Sequence, residues 1–220
     1  MVLGRRSIPG MRRLVILVLA LLPLFGCIPK PRAAAPPRPL TRAQPPLQCY
    51  DSLRAAGASF RPLPDSAFDN GCGMTGAVQL LDIGTPVTGL GAMTCGLAER
   101  FTLWVRDAVQ PAARGAFGVG VAKIESFGTY SCRPLNNQAG ARLSEHGHAN
   151  AIDVAACVLK DGRRISVLAD WNGSDEAARR FLHAVHDEGC RRFNVVLGPD
   201  ANAFHRDHLH FDMGRGPYCR

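Results

Sequence analysis

The stretch HLHFD, residues 208–212, alternates polar and apolar side chains at every position. Along an extended strand, residues i and i+2 share a face. His208, His210 and Asp212 are therefore expected on one side, with Leu209 and Phe211 directed into a core on the other. NAIDV, residues 150–154, has the same period: Ala151 and Asp153 share a face, and Ile152 and Val154 point inward. If both strands belong to one sheet, their polar faces make a single site.

The polar faces are rich in metal-ligating groups. Five of the seven histidines fall in two short clusters, LSEHGHANAIDV (143–154) and HRDHLHFD (205–212). His146, in the loop before the first strand, is placed to curl over Asp153, and His210 would join them. Two imidazoles and one carboxylate suit catalytic zinc, which takes three protein ligands and leaves a fourth position for water. Zinc so held lowers the pKa of bound water and polarises a carbonyl, the chemistry of peptide hydrolysis. A base must then accept the proton. His208 is preferred over Asp207, because strand alternation turns Asp207 away. The competing reading of an isolated His-x-His is a solvated surface strand. His148 reads as a loop residue, and His183 and His186 as helix surface. Asp212 either orients an imidazole or is a solvated strand-end carboxylate.

The N-terminus bears on compartment. Arg5, Arg6, Arg12 and Arg13 precede the apolar run LVILVLALLPLF and then Gly26-Cys27. This is a signal-peptide layout over residues 1–26, and the run is too short for a secure membrane span. An uncleaved anchor is the alternative. Leu24-Phe25-Gly26-Cys27 resembles a bacterial lipobox, which implies lipidation of Cys27. Residues 27–46 are dense in proline and predict an extended tether, about 60 Å long at roughly 3.1 Å per residue. Ile28 is not the Asp that retains lipoproteins at the inner membrane. The expected location is the periplasmic face of the outer membrane, held by an N-terminal lipid anchor. Removing the leader leaves 22 basic residues against 18 acidic, a net charge of +4. No basic run with interleaved aromatics is present, so nucleic acid is excluded as a partner.

Seven cysteines follow Cys27, and an exported chain keeps its disulfides. An odd number leaves one thiol free. Cys157, in the apolar run IDVAACVL, is the candidate. Cys49 and Cys72 bracket a short segment and are expected to pair, while the pairing of Cys95, Cys132, Cys190 and Cys219 stays open. No CxxC occurs, which argues against a thiolate zinc site.

Residues 47–220 have the length of one domain with a sizeable core. Helical spacing appears over 95–109, with Leu97, Phe101, Val105 and Ala108 on one face. A second helix is predicted over 174–188, with Ser174 as N-cap, Gly189 just past the end, and Ala177, Phe181 and Val185 buried. Strands are expected over 117–124, 150–159, 163–169, 193–197 and 208–212. Asp161-Gly162 predicts a hairpin joining 150–159 to 163–169. The fold class is α+β, a mainly antiparallel sheet flanked by helices.

Ser144-x-His146…Ala151-x-Asp153 resembles the SxHxxGxAxD signature of LAS-type zinc peptidases. That group contains D-alanyl-D-alanine carboxypeptidases, murein endopeptidases and the Hedgehog signalling domain. The resemblance implies the LAS-peptidase (Hedgehog/D,D-peptidase) fold, with His146, Asp153 and His210 as ligands and Ser144 beside the substrate. His208-x-His210 matches the group's closing HxH. His205 matches an active-site histidine of its endopeptidases, and Arg133 in TYSCR matches its substrate-binding arginine. Ala149 stands where the signature has glycine. If that turn needs a positive φ, alanine costs roughly 1 kcal/mol, unless Asn150 takes the turn instead. TCGLAERFTLWV, YSCR, LSEHGHANAIDV, DGRRISV and LGPDANAFHRDHLHFD resemble the bacterial extensin-like C-terminal domain family, over roughly 48–219. Together these imply a zinc-dependent peptidase acting on peptidoglycan stem peptides or cross-links. The rival is a non-catalytic wall-binding lipoprotein that keeps the fold.

Overall fold

The apolar faces anticipated for 150–154 and 208–212 are buried in the structure, a computed structural model that describes residues 46–220. The expected leader, the lipidated Cys27 and the tether lie outside the described residues, apart from Pro46. Helix α1 (Pro46–Ala55) is followed by β1 (Ser59–Pro62), β2 (Ser66–Ala67), β3 (Gly73–Met74), β4 (Ala77–Asp82), β5 (Val87–Thr88) and β6 (Ala92–Thr94). Next come α2 (Cys95–Trp104), a π-helical stretch (Val105–Val109), α3 (Gln110–Phe117) and β7 (Val121–Gly128). The remainder is β8 (Ala151–Leu159), β9 (Arg164–Ser166), α4 (Val167–Asp170), α5 (Glu176–Cys190), β10 (Val195–Leu197), β11 (Leu209–Asp212) and β12 (Tyr218–Cys219). Among the described residues no helix is long and apolar enough to cross a membrane.

Strands β1, β4 and β6 form a small antiparallel sheet. The larger sheet runs β12-β10-β11-β8-β7-β5, with β9 also on β8. Its outermost pairs, β10–β12 and β5–β7, are parallel, and the rest are antiparallel. The class is therefore α+β with antiparallel and mixed sheets. Strand β8 is central: β7 lies on one edge, while β11 and β9 share the other. The hairpin at Asp161-Gly162 forms as expected.

One face of this sheet packs on helices. Trp104 lies 4.8 Å from the Phe211 ring and donates its indole N–H to the Val185 carbonyl at 2.9 Å. Ile152, Val154, Leu209 and Phe211 are all buried. Burying side chains of this size contributes about 1.5–3 kcal/mol each, which fixes β8 and β11 against α2 and α5. The opposite face carries Asp153, His210 and Asp212.

Several boundaries differ from the sequence reading, each for a local reason. The first helix continues past 109 to Phe117, ending where Gly118 adopts φ 75°. Pro111 should break it by removing a hydrogen bond and crowding the preceding turn. The π-helical turn at 105–109 accommodates it, and the strand expected from 117 begins only at Val121. In α5 the cap is Asp175, accepting from Ala177 and Ala178, rather than Ser174. Gly189 lies inside the helix, and a Cβ there would meet Phe211 at 2.5 Å, which accounts for the glycine. Ala178 and Leu182 are buried alongside Phe181 and Val185, while Ala177 is only half-buried. The strand expected over 163–169 stops at Ser166, whose hydroxyl caps α4. His186 is not surface: it is buried, edge-on to buried Trp171.

The disulfides are Cys49–Cys95, Cys72–Cys132 and Cys190–Cys219, and buried Cys157 is free. The expected Cys49–Cys72 bond is thus wrong. Cys49 sits on α1, which packs along α2 and finds Cys95 there, a neighbour that sequence proximity hides.

Candidate metal centre

The register of β8 and β11 builds the site. His210 is the direct cross-strand partner of Asp153, so period-two geometry sets both side chains on one face. Strand β7 ends with Gly128 opposite Asp153, which brings the Thr129 carbonyl to His146 Nδ1 at 2.5 Å. His146 stands on a short helical turn, Glu145–His148, capped by the Ser144 hydroxyl accepting from the His146 N–H at 3.3 Å. Gly147 lets this turn rest on the Cys72–Cys132 bridge, since a Cβ there would lie 3.2 Å from Cys72 Sγ.

The loop then needs a left-handed residue to enter β8, and Ala149 supplies it with φ 54°. Asn150 does not absorb the turn. Its amide donates to Glu145 at 2.7 Å and its carbonyl accepts from the Thr94 hydroxyl at 3.0 Å. The Ala149 carbonyl accepts from the Thr94 N–H at 2.7 Å. These bonds hold alanine in a conformation that costs it roughly 1–2 kcal/mol.

His146 Nε2, Asp153 and His210 Nδ1 converge. Nε2 of His146 is 3.2 Å from Nδ1 of His210 and 3.1 Å from Asp153 Oδ2, and His210 Nδ1 is 2.8 Å from Asp153 Oδ1. All three residues are buried, and their ligand atoms lie within 4.8 Å of one another. Tetrahedral zinc with bonds near 2.0–2.1 Å separates its donors by about 3.3 Å, so the spacing fits after opening by a few tenths of an ångström. The other nitrogens are engaged, His146 Nδ1 by Thr129 and His210 Nε2 by Asp212 Oδ2 at 2.9 Å. Such outer partners fix the tautomer and aim of a ligating imidazole. Two nitrogens and an oxygen form a donor set that zinc favours. A second group, His186 with Cys190 and Cys219, has its sulfurs tied in a disulfide.

Electrostatics follow the contacts. Burial alone would raise the Asp153 carboxyl, but hydrogen bonds from His146 and His210 hold it well below the ordinary carboxylate range. Burial would depress His210, yet the bonds to Asp153 and Asp212 overturn this and raise it to about 9. The buried ring of His205 is pushed down to about 4, chiefly by burial and then by its like-charged neighbours His210 and His208.

The centre forms the floor of an open cleft of about 740 Å³. His208 points Nε2 towards Asp153 Oδ1 at 3.5 Å and places Nδ1 2.8 Å from Asp207. Asp207 is not turned away as alternation suggested. Strand β11 starts only at Leu209, so the alternation does not reach it. His205 is held by Asn202 at 2.9 Å, with its ring 5.1 Å from His208. Arg133 reaches Asp153 at 3.6 Å. All of the residues singled out from sequence, Ser144 and Arg133 included, line this cleft; Cys27 lies outside the described residues. The Thr129 carbonyl was missed, since a backbone acceptor leaves no side-chain signal, and so was Asn202, whose side-chain oxygen holds His205. Phe127, edge-on to His208 at 5.7 Å, was not singled out, since it lies beyond the strand expected over 117–124.

No curated protein and no solved structure matches the chain. A family model does match, over residues 47–220, a span that takes in both histidine clusters and every described element after Pro46. The chain belongs to the extensin-like protein C-terminus family.

Proposed function

We propose that this domain is a zinc-dependent peptidase of LAS type, acting on peptidoglycan stem peptides or cross-links. The observation that carries the reading is the convergence of His146 Nε2, Asp153 and His210 Nδ1 at the floor of an open cleft. A zinc ion held by these three would supply Lewis-acid polarisation of a carbonyl and acidify a bound water. The surrounding residues support the remaining chemistry. Asp207 accepts at His208 Nδ1, which keeps that proton in place and leaves the Nε2 lone pair facing Asp153. His208 Nε2 is thereby the base that takes a proton from attacking water. Asp207 positions it. His205, a neutral imidazole beside His208, is a further hydrogen-bonding group on the cleft wall. Arg133 stands where it can bind a substrate carbonyl or carboxylate, and Ser144 lines the cleft beside it. The leader and Cys27 add a proposed setting, a lipid anchor at the periplasmic face of the outer membrane.

The test is digestion of purified peptidoglycan, with released peptides resolved by chromatography. His208→Ala should abolish release while zinc content stays at the parental level. Release that persists in His208→Ala contradicts the assigned base. A parent that binds zinc and sacculi but releases nothing would favour the non-catalytic wall-binding reading.

A further inference from the structure

The cleft carries more positive charge than the proposed chemistry uses. Besides Arg133, it is lined by Arg142 and Arg215, which come from different segments. Arg142 lies on the loop between β7 and β8, where Pro134 pairs with Leu143 and the Leu135 N–H donates to the Arg142 carbonyl at 2.8 Å. Two consecutive left-handed asparagines, Asn136 and Asn137 (φ 54° and 57°), turn this loop back on itself. Asparagine tolerates that conformation better than most residues. Arg215 follows β11, on the segment leading to β12, which is fastened by the Cys190–Cys219 bridge and by pairing with β10.

The acids of the cleft do not answer these arginines. Asp153 and Asp212 are turned to histidines, Asp207 to His208, and Glu145 to the Asn150 amide. Elsewhere Arg163 ends on Asp161, Arg164 on Glu125 and Arg180 on Glu176. Arg142 and Arg215 have no ion-pair or side-chain hydrogen-bond partner among the described residues. Arg61, Arg100, Arg114 and Arg220 share that property, but none lines the cleft. A guanidinium fork matches a carboxylate in a two-bond geometry that a lysine cannot reproduce.

The geometry points to Arg142 and Arg215 as specificity residues that bind carboxylates on the substrate, making the ligand an acidic peptide with carboxylates on its side chains or terminus. This inference rests on the peptidase reading for the identity of the peptide. It does not rest on it for the charge preference. Arg142 and Arg215 are both exposed at the cleft; with no partner to lose, substituting either should leave the fold intact.

The experiment compares a synthetic peptidoglycan stem tetrapeptide with the same peptide fully amidated on its carboxylates. Binding is measured by calorimetry to the full chain carrying His208→Ala, which stops turnover. The free acid should bind about tenfold or more tightly than the amide, as expected for a charged hydrogen bond. Adding Arg142→Gln or Arg215→Gln should weaken the free acid by about tenfold each and leave the amide unchanged. In the active enzyme the same variants should raise KM with kcat unchanged. Equal binding of acid and amide, binding of neither, or variants that bind the acid as the parent does, would each overturn the assignment. A peptide bound with this preference but never cleaved would contradict the peptidase reading while sustaining the arginine assignment.

Discussion

Replacing Asp212 with asparagine tests whether the proposed metal centre depends on its outer contacts. Asp212 is buried and uses both oxygens, Oδ2 towards His210 Nε2 at 2.9 Å and Oδ1 accepting from the Gly214 N–H at 2.8 Å. In the proposed site His210 ligates through Nδ1, so its Nε2 carries a proton and needs an acceptor. An amide has one acceptor oxygen where the carboxylate has two. In the Asp212→Asn variant the side chain can therefore satisfy His210 or Gly214, but not both. Loss of such an outer partner typically costs 10–100-fold in metal affinity, or about 1.4–2.7 kcal/mol. A second effect opposes it. Asp212 also helps His210 hold a proton up to about pH 9, and near neutrality that proton competes with the metal. The assay is zinc competition against a chromophoric chelator at pH 9, where proton competition is small. Circular dichroism of the metal-free variant checks the fold. Affinity falling 10–100-fold is expected; affinity within about threefold of the parent, with the fold intact, refutes the reasoning.

Gly189→Ala should lower the melting temperature and also weaken zinc binding, because the new Cβ would crowd Phe211, the residue between His210 and Asp212. Helix propensity favours alanine by about 1 kcal/mol, but overpacking costs about 1–3 kcal/mol, so a higher melting temperature would contradict the packing described. The metal-free protein should lose stability as pH rises. His210 binds its proton more tightly folded than unfolded, so its contribution is complete below its ordinary pKa near 6.5 and is lost as pH passes about 9. A melting temperature that is flat from about pH 6.5 to 9.5 would oppose this. Asp153, held low, acts in the other sense: its contribution is present above the ordinary carboxylate range and disappears as pH falls below it. Cys157, buried and pushed up to about 12 by burial, should resist a thiol-reactive dye in the native state and label after denaturation. Rapid native labelling would show that the β8 core is open.

Much of the site was legible because strands have a short period. Alternation alone put His210 and Asp212 on the face opposite Leu209 and Phe211, and Asp153 opposite Ile152 and Val154, as the strand register and packing bear out. It failed at Asp207 because the strand starts two residues later. Other features depend on contacts distant in sequence. The carbonyl that orients His146 belongs to Thr129, and the half-cystine that meets Cys49 lies 46 residues away. Ala149 holds its left-handed turn only because Thr94, Glu145 and Asn150 brace the loop. The helix crosses Pro111 by a π turn that periodicity does not encode. Gly189 looked like a stop signal and is a packing contact instead. Local pattern thus carries the candidate ligands, and tertiary contacts carry what orients them.

Zinc content of the purified protein, beside His146→Ala and His210→Ala, decides whether the two histidine clusters form one metal site. About one zinc per chain is expected in the parent, and loss of it in both variants, with each variant still folded. A parent that takes up no metal when zinc is offered, or variants that keep it, would contradict the assignment of His146, Asp153 and His210 as a metal centre.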